Sequence, residues 1–180
     1  MKNQNTKKLA YAALFLALCL VLPMLAGQIP QIGSMLLPMH IPVLLCGLVC
    51  GWQYGAVVGF VAPLLRSVLF GMPPMYPVAI AMAFELLTYG LVIGLVYRRM
   101  AQKGAAGVYA ALLTAMVAGR LVWGVAEVVL LGLGGKAFTV QAFLAGALLN
   151  AVPGIIVQLV LIPAVMAALQ KAGAVKEYAE

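Results

Sequence analysis

The chain has 180 residues, of which 66% are hydrophobic and only 8% are charged, and its formal net charge is +7. Apolar runs of membrane-spanning length recur from Leu9 to Leu169, which excludes a water-soluble protein of this size. The lysines and arginines stand at the ends of these runs rather than along one face, so the positive charge reports membrane topology and not a nucleic-acid partner.

Apolar runs and the breaks between them predict helices near residues 8–26, 36–52, 54–70, 77–98, 106–133 and 139–170. The basic, apolar start could also be a cleavable signal peptide, but its length favours a retained first helix. Two prolines, Pro38 and Pro42, predict a short or bent second helix. We therefore predict an all-α integral membrane protein, in which residues 1–180 form one domain of six transmembrane helices in the lipid bilayer.

Basic residues also predict the orientation of this bundle. They concentrate in the N-terminus, in the loop 97–104 and in the C-terminus, whereas the opposite side holds only Lys136. Because positive residues favour the cytoplasmic side, both termini are predicted to be cytoplasmic, which requires an even number of spans. Gln28, Gln31 and the loop 71–77 then belong to the outer surface.

Four ionisable residues remain inside the apolar spans, namely Arg66, Glu85, Arg120 and Glu127. Each would cost roughly 2.5–3.5 kcal/mol if left unpaired at the bilayer centre, so all four should face the interior of the bundle. Helical rise places Arg66 and Glu85 in the outer half of the membrane. On the fifth helix, Arg120 and Glu127 share one face with Trp123.

These groups predict a polar cavity that opens outward, with further lining candidates on the neighbouring segments: His40, Tyr76, Gln141, Asn150 and Gln158. Tyr76, with Met72 and Met75, could form a lid over the cavity or simply pack. His40 suits a structural role as well as a ligand contact. The alternative for the four charged residues is structural, since buried ion pairs among them could hold the helices together with no ligand.

The residues needed for most kinds of catalysis are missing from the sequence. It contains no aspartate, one histidine and two serines, and it shows no metalloprotease, hydrolase or Walker A motif. The three cysteines, Cys19, Cys46 and Cys50, lie in apolar segments without nearby partners at metal-ligand spacing, which favours small buried hydrophobes. We expect no enzyme, no metal site and no cofactor bound by this chain.

The chain length, the six helices, the cytoplasmic ends and the outer polar cavity together resemble the S component of energy-coupling factor (ECF) vitamin transporters. Ala13 and Ala17 in the first helix look like the surface by which this family docks on its transmembrane T component, although small residues four apart also mediate ordinary helix packing. The glycine-rich stretch 47–59, followed by an apolar helix ending at Arg66, is similar to the turn between the family's second and third helices.

The resemblance implies an importer subunit of the bacterial cytoplasmic membrane. It implies a substrate held between helices four, five and six, a T component, and two cytoplasmic ATPase subunits that use ATP while the S component reorients. Pantothenate, a B6 vitamer, riboflavin and other heterocyclic micronutrients all remain open as substrates. The alternatives are a non-transporting scaffold or cell-shape assembly subunit, a self-sufficient channel or carrier, and an intramembrane enzyme.

Overall fold

The computed structural model describes residues 2–26, 36–100, 104–135, 137–146 and 150–173. These residues form helices joined by short connections, with no strand among them, so the prediction of an all-α protein is confirmed. A π-helical turn, Met75–Ala79, leads directly into the fourth helix. The seven α-helices are α1 (Lys2–Ala26), α2 (His40–Cys50), α3 (Trp52–Phe70), α4 (Ile80–Met100), α5 (Ala105–Leu133), α6 (Val140–Leu144) and α7 (Val152–Lys171).

Five helical segments in the described part of the chain are long and apolar enough to cross a membrane: Gln4–Leu25, Trp52–Phe70, Met75–Met100, Ala105–Leu133 and Val152–Lys171. The protein is therefore a multi-pass membrane protein. Helix α2 is apolar but has only 11 residues, and all but one of them are buried by the surrounding helices. The second predicted span, 36–52, thus corresponds to a short helix enclosed in the bundle.

The last predicted helix also differs in the structure. The segment 139–170 was expected to be continuous, but α6 ends at Leu144, and Asn150 and Ala151 form a turn before α7. Pro153 lies in the first turn of α7, where its missing N–H is tolerated and its ring restricts the residue before it. The proline therefore favours a helix start at this point. Asn150 consequently lies in the turn just before α7 rather than inside a helix.

Glycines bring α2, α3 and α4 into backbone contact. The chain reverses at Gly51, whose φ of 96° favours glycine, and α3 then returns beside α2. A Cβ atom on Gly90 would collide with the carbonyl group of Gly55, and one on Gly94 would lie 2.5 Å from Cα of Trp52. Because Gly55 meets Gly90 while Trp52 meets Gly94, α3 and α4 are antiparallel and packed without intervening side chains.

Basic residues from different helices lie at the end of the bundle where α4 and α7 finish. Arg98 and Arg99 lie in the last turn of α4, and Lys171 lies in the last turn of α7. Gln170 Nε2 donates a hydrogen bond of 3.2 Å to the hydroxyl of Tyr97, which joins the ends of α4 and α7. This end is the one that the positive charges predict to be cytoplasmic.

Candidate substrate-binding cavity

A cavity of about 510 Å³ lies at the opposite end of the bundle, where α2 and α4 begin and α5 approaches its end. This volume falls within the range of sites for small organic molecules. Its lining comes from the start of α2 and the residues before it, the π-helical turn, α4, α5 and the connection between α6 and α7: Leu37, His40, Val78, Met82, Glu85, Arg120, Trp123, Glu127, Gly146, Asn150 and Ala151.

Glu85 is the centre of the inner wall of this cavity. Its Oε1 lies 2.9 Å from Nη1 of Arg120 and 3.5 Å from Nε2 of His40, and its side chain is only 2% exposed. The antiparallel packing of α4 and α5 brings the carboxylate and the guanidinium face to face. The prediction that buried charges pair with one another is thus confirmed for Glu85 and Arg120.

The paired groups on this wall still have unused hydrogen-bonding capacity. Among the described residues, Glu85 Oε1 has no hydrogen-bond partner, although Arg120 Nη1 lies beside it at ion-pair distance. Both ring nitrogens of His40, and Nε and Nη2 of Arg120, are likewise buried without a partner. Buried polar groups are normally paired with protein or with water, so this wall has capacity for further hydrogen bonds.

Tyr89 lies one turn beyond Glu85 on α4 and packs against His40 of this wall. Its ring meets the ring of His40 edge to face, with the centroids 5.2 Å apart. The ring also packs against Gly119, where a Cβ atom would approach it to 2.7 Å. Gly119 therefore allows α5 to come close enough to α4 for Arg120, the next residue, to reach Glu85.

Trp123 forms a side wall of the cavity and connects α5 to the segment that carries α6. Its ring centroid lies 5.8 Å from that of Phe138 and 6.1 Å from that of Phe143, and the Arg120 guanidinium lies 5.9 Å away over the ring. A Cβ atom on Gly146 would lie 2.6 Å from the Trp123 ring. The indole is thus held on several sides, and only part of it borders the cavity.

Glu127 lies two turns further along α5 than Arg120, on the same face. The residue is 7% exposed, and within the described part of the chain its carboxylate makes no hydrogen bond and no ion pair. Asn150, which is exposed, also lines the cavity. The described residues thus give the cavity one neutralised pair and one carboxylate that forms no ion pair with any of them.

Arg66 does not line the cavity, which corrects the prediction that it belongs to the polar cavity. Its Nη1 donates a 2.6 Å hydrogen bond to the backbone carbonyl of Leu20 in α1, and its guanidinium lies 5.4 Å from the centroid of the Phe70 ring. The side chain therefore leaves α3 toward α1 rather than toward α5. It is satisfied by a backbone carbonyl instead of a carboxylate.

Tyr76 is also outside the lining. Its hydroxyl donates a hydrogen bond to the carbonyl of Leu130, which ties the turn before α4 to the end of α5. Met72 and Met75 are exposed and do not border the cavity, and neither does the exposed Gln141. Gln158 is buried in α7 beyond the lining, whereas Gln28, Gln31 and Lys136 lie outside the described residues.

Sequence reasoning missed part of the apolar lining. Val78 and Met82 precede Glu85 at spacings of seven and three residues, so helical periodicity could have found them on the same face. Leu37 and Ala151 flank helix starts, and Gly146 is needed because of its contact with Trp123. No periodic signal marks these last three positions.

The two alanines predicted to dock a partner, Ala13 and Ala17, are exposed on α1. The opposite side of the helix carries Ala12, Phe15 and Cys19, which are buried against the bundle. The thiols of Cys46 and Cys50 are also buried, as expected for small hydrophobic residues. The face that contains Ala13 and Ala17 is thus accessible to another membrane protein.

Comparison with known proteins bears on the whole bundle. A family model described as "ECF transporter, substrate-specific component" matches residues 7–166, which is most of the chain. The curated proteins and the solved structures that were compared gave no significant match. The matched region includes all the helices that border the cavity and the exposed face of α1.

Proposed function

Because the chain belongs to the family of substrate-specific components of ECF transporters, we propose that it captures a water-soluble vitamin or related micronutrient in the cavity described above. The observation that carries this proposal is the cavity itself, about 510 Å³ in volume and lined by buried charged groups in an otherwise apolar bundle. If those groups only held the helices together, no void between them would be needed. His40, Glu85, Arg120, Trp123, Glu127 and Asn150 are the residues that we assign to substrate binding.

The membrane topology supports uptake from outside the cell. The positive residues at the other end of the bundle favour a cytoplasmic position for that end, which turns the cavity outward. We propose that the protein lies in the bacterial cytoplasmic membrane with both termini inside. Substrate would enter from the outer side and leave inward when the subunit reorients.

Energy for that reorientation would come from partners. The chain has no Walker A sequence, so we propose that a transmembrane T component couples it to two cytoplasmic ATPase subunits that hydrolyse ATP. The exposed Ala13 and Ala17 face of α1 suits the T component, because small residues let two helices approach closely in a membrane.

A thermal-shift panel of pantothenate, B6 vitamers, riboflavin and thiamine against the purified protein tests substrate binding. A ligand at a hundred times its dissociation constant should stabilise the folded protein by roughly 2.7 kcal/mol. A flat response across the panel would instead favour a scaffold subunit.

The substitution Ala13→Trp tests docking separately from binding. It places a large side chain on the exposed face of α1, so it should abolish vitamin uptake by cells that contain the T component and ATPases, while binding by the purified protein is unchanged. Val117→Trp is the matched control, because Val117 is 62% exposed on α5 and lies outside the cavity lining. Normal uptake by the Ala13→Trp variant would refute the docking assignment.

A further inference from the structure

The charges that line the cavity do not cancel. Glu85 and Arg120 compensate each other at 2.9 Å, whereas Glu127 has no hydrogen bond and no ion pair among the residues that the structure describes. Among the acidic and basic side chains of the lining, two carboxylates face one guanidinium, a formal excess of one negative charge. The Glu127 carboxylate borders the cavity inside an otherwise apolar bundle, so a ligand that brings a positive charge to it gains an ion pair.

The alternative to Glu127 as the group that binds a charged ligand is Arg120, which would select an anion. Two of its nitrogens, Nε and Nη2, have no hydrogen-bond partner, but the surrounding protein encloses both of them. The third, Nη1, is already beside Glu85. An anionic ligand would have to displace packed atoms and then face the Glu85 carboxylate, whereas Glu127 borders the cavity and forms no ion pair with any described residue.

Position along α5 also separates the two charges. Glu127 follows Arg120 by seven residues, which is roughly 10 Å along the helix axis and away from the inner wall. Trp123 lies between them and presents apolar surface, and Asn150 adds an amide to the same cavity. The lining therefore offers a negative group near the cavity entrance and a neutralised pair at its inner wall.

We propose that Glu127 binds a positively charged nitrogen group of the cargo, so that the substrate class is a cationic amine or a cationic nitrogen heterocycle. This inference rests on the proposed function, because it assumes that the cavity holds the transported solute. Selection then follows from a charge-assisted hydrogen bond to Glu127, and anionic solutes of similar size are rejected by the uncompensated carboxylate.

Calorimetric binding to probes of each charge class tests the proposal. Pyridoxamine and 4-pyridoxic acid share one ring and differ in carrying an ammonium or a carboxylate group, and thiamine, riboflavin and pantothenate add a cation, a neutral molecule and an anion. We expect a cationic probe to bind about tenfold or more tightly than the anions, and Glu127→Gln to remove about tenfold or more of that affinity.

Two controls separate recognition from folding and from other charges. Unliganded Glu127→Gln should be at least as heat-stable as the unsubstituted protein, because it removes an unpaired buried charge. Lys136 is the only lysine or arginine between Arg120 and Lys171, and Lys136→Gln should leave the affinity for the cationic probe unchanged. A loss of affinity with Lys136→Gln as large as that with Glu127→Gln would overturn the assignment to Glu127.

The outcomes distinguish this inference from the proposed function. Preferred binding of pantothenate or 4-pyridoxic acid would overturn the inference while the proposed function stands. Binding of a cation that is insensitive to Glu127→Gln would do the same. Failure of every probe to bind would overturn the proposed function together with the inference.

Discussion

The helices α2 and α4 are packed differently at their two ends. Toward the basic end, Gly47, Gly55 and Gly90 bring backbones into contact and leave no room for a side chain between them. Toward the other end, His40 on α2 and Glu85 on α4 meet Arg120 at the edge of the cavity, where several buried polar atoms have no hydrogen-bond partner among the described residues. One end is fixed by close backbone contact, so the other end can carry costly polar groups in defined positions.

The largest effect is expected at the cavity end, from Glu85→Gln. The substitution keeps the side-chain shape but leaves the Arg120 charge buried without its partner, which should destabilise the protein by about 3 kcal/mol or more. Thermal unfolding in detergent measures the loss. The double variant with Arg120→Gln should recover much of it, because no unpaired charge then remains, and equal losses in the single and double variants would contradict the pairing.

A smaller effect is expected at the glycine end, from Gly90→Ala. The added methyl group would collide with the Gly55 carbonyl, so α3 and α4 must separate, at a cost of about 1–3 kcal/mol. Gly132→Ala in α5 is the matched control, since its Cβ atom would meet nothing within 4 Å. The unfolding temperature should fall for Gly90→Ala and stay level or rise for Gly132→Ala, and a similar change in both variants would refute close backbone packing.

Most of the helices were predictable because a membrane span leaves a long, unbroken apolar run. The boundaries of α3 and α5 follow such runs closely, and the enclosed α2 was expected to be short because of its prolines. The break before α7 was missed because residues 139–170 contain no charged residue and resemble one long apolar run. Pro153 favours a helix start at this point, but a single proline does not interrupt the hydropathy of the run.

The cavity was predictable where one helix carries several polar groups on one face. Arg120, Trp123 and Glu127 follow this rule on α5, and their shared face points inward in the structure. Arg66 does not point into the cavity. Its position could not be predicted because helical rise gives the depth of a residue but not its direction around the helix axis. That direction depends on how α3 packs against α1 and α4, which no periodicity within α3 records.

The smallest effect is expected from Arg66→Gln. This substitution tests directly whether the direction of a side chain, rather than its depth in the membrane, decides if it reaches the cavity. Arg66 donates to the carbonyl of Leu20 and not to a group in the cavity, so its loss should cost about 1 kcal/mol of stability through the contact between α1 and α3. Affinity for the vitamin identified by thermal shift should stay unchanged, whereas Glu127→Gln should reduce it. Arg66→Lys keeps a donor for the same carbonyl and should restore part of the stability. If Arg66→Gln weakened binding as much as Glu127→Gln, the guanidinium would have to reach the substrate, and depth in the membrane would have been a better guide to the site than the direction of the side chain.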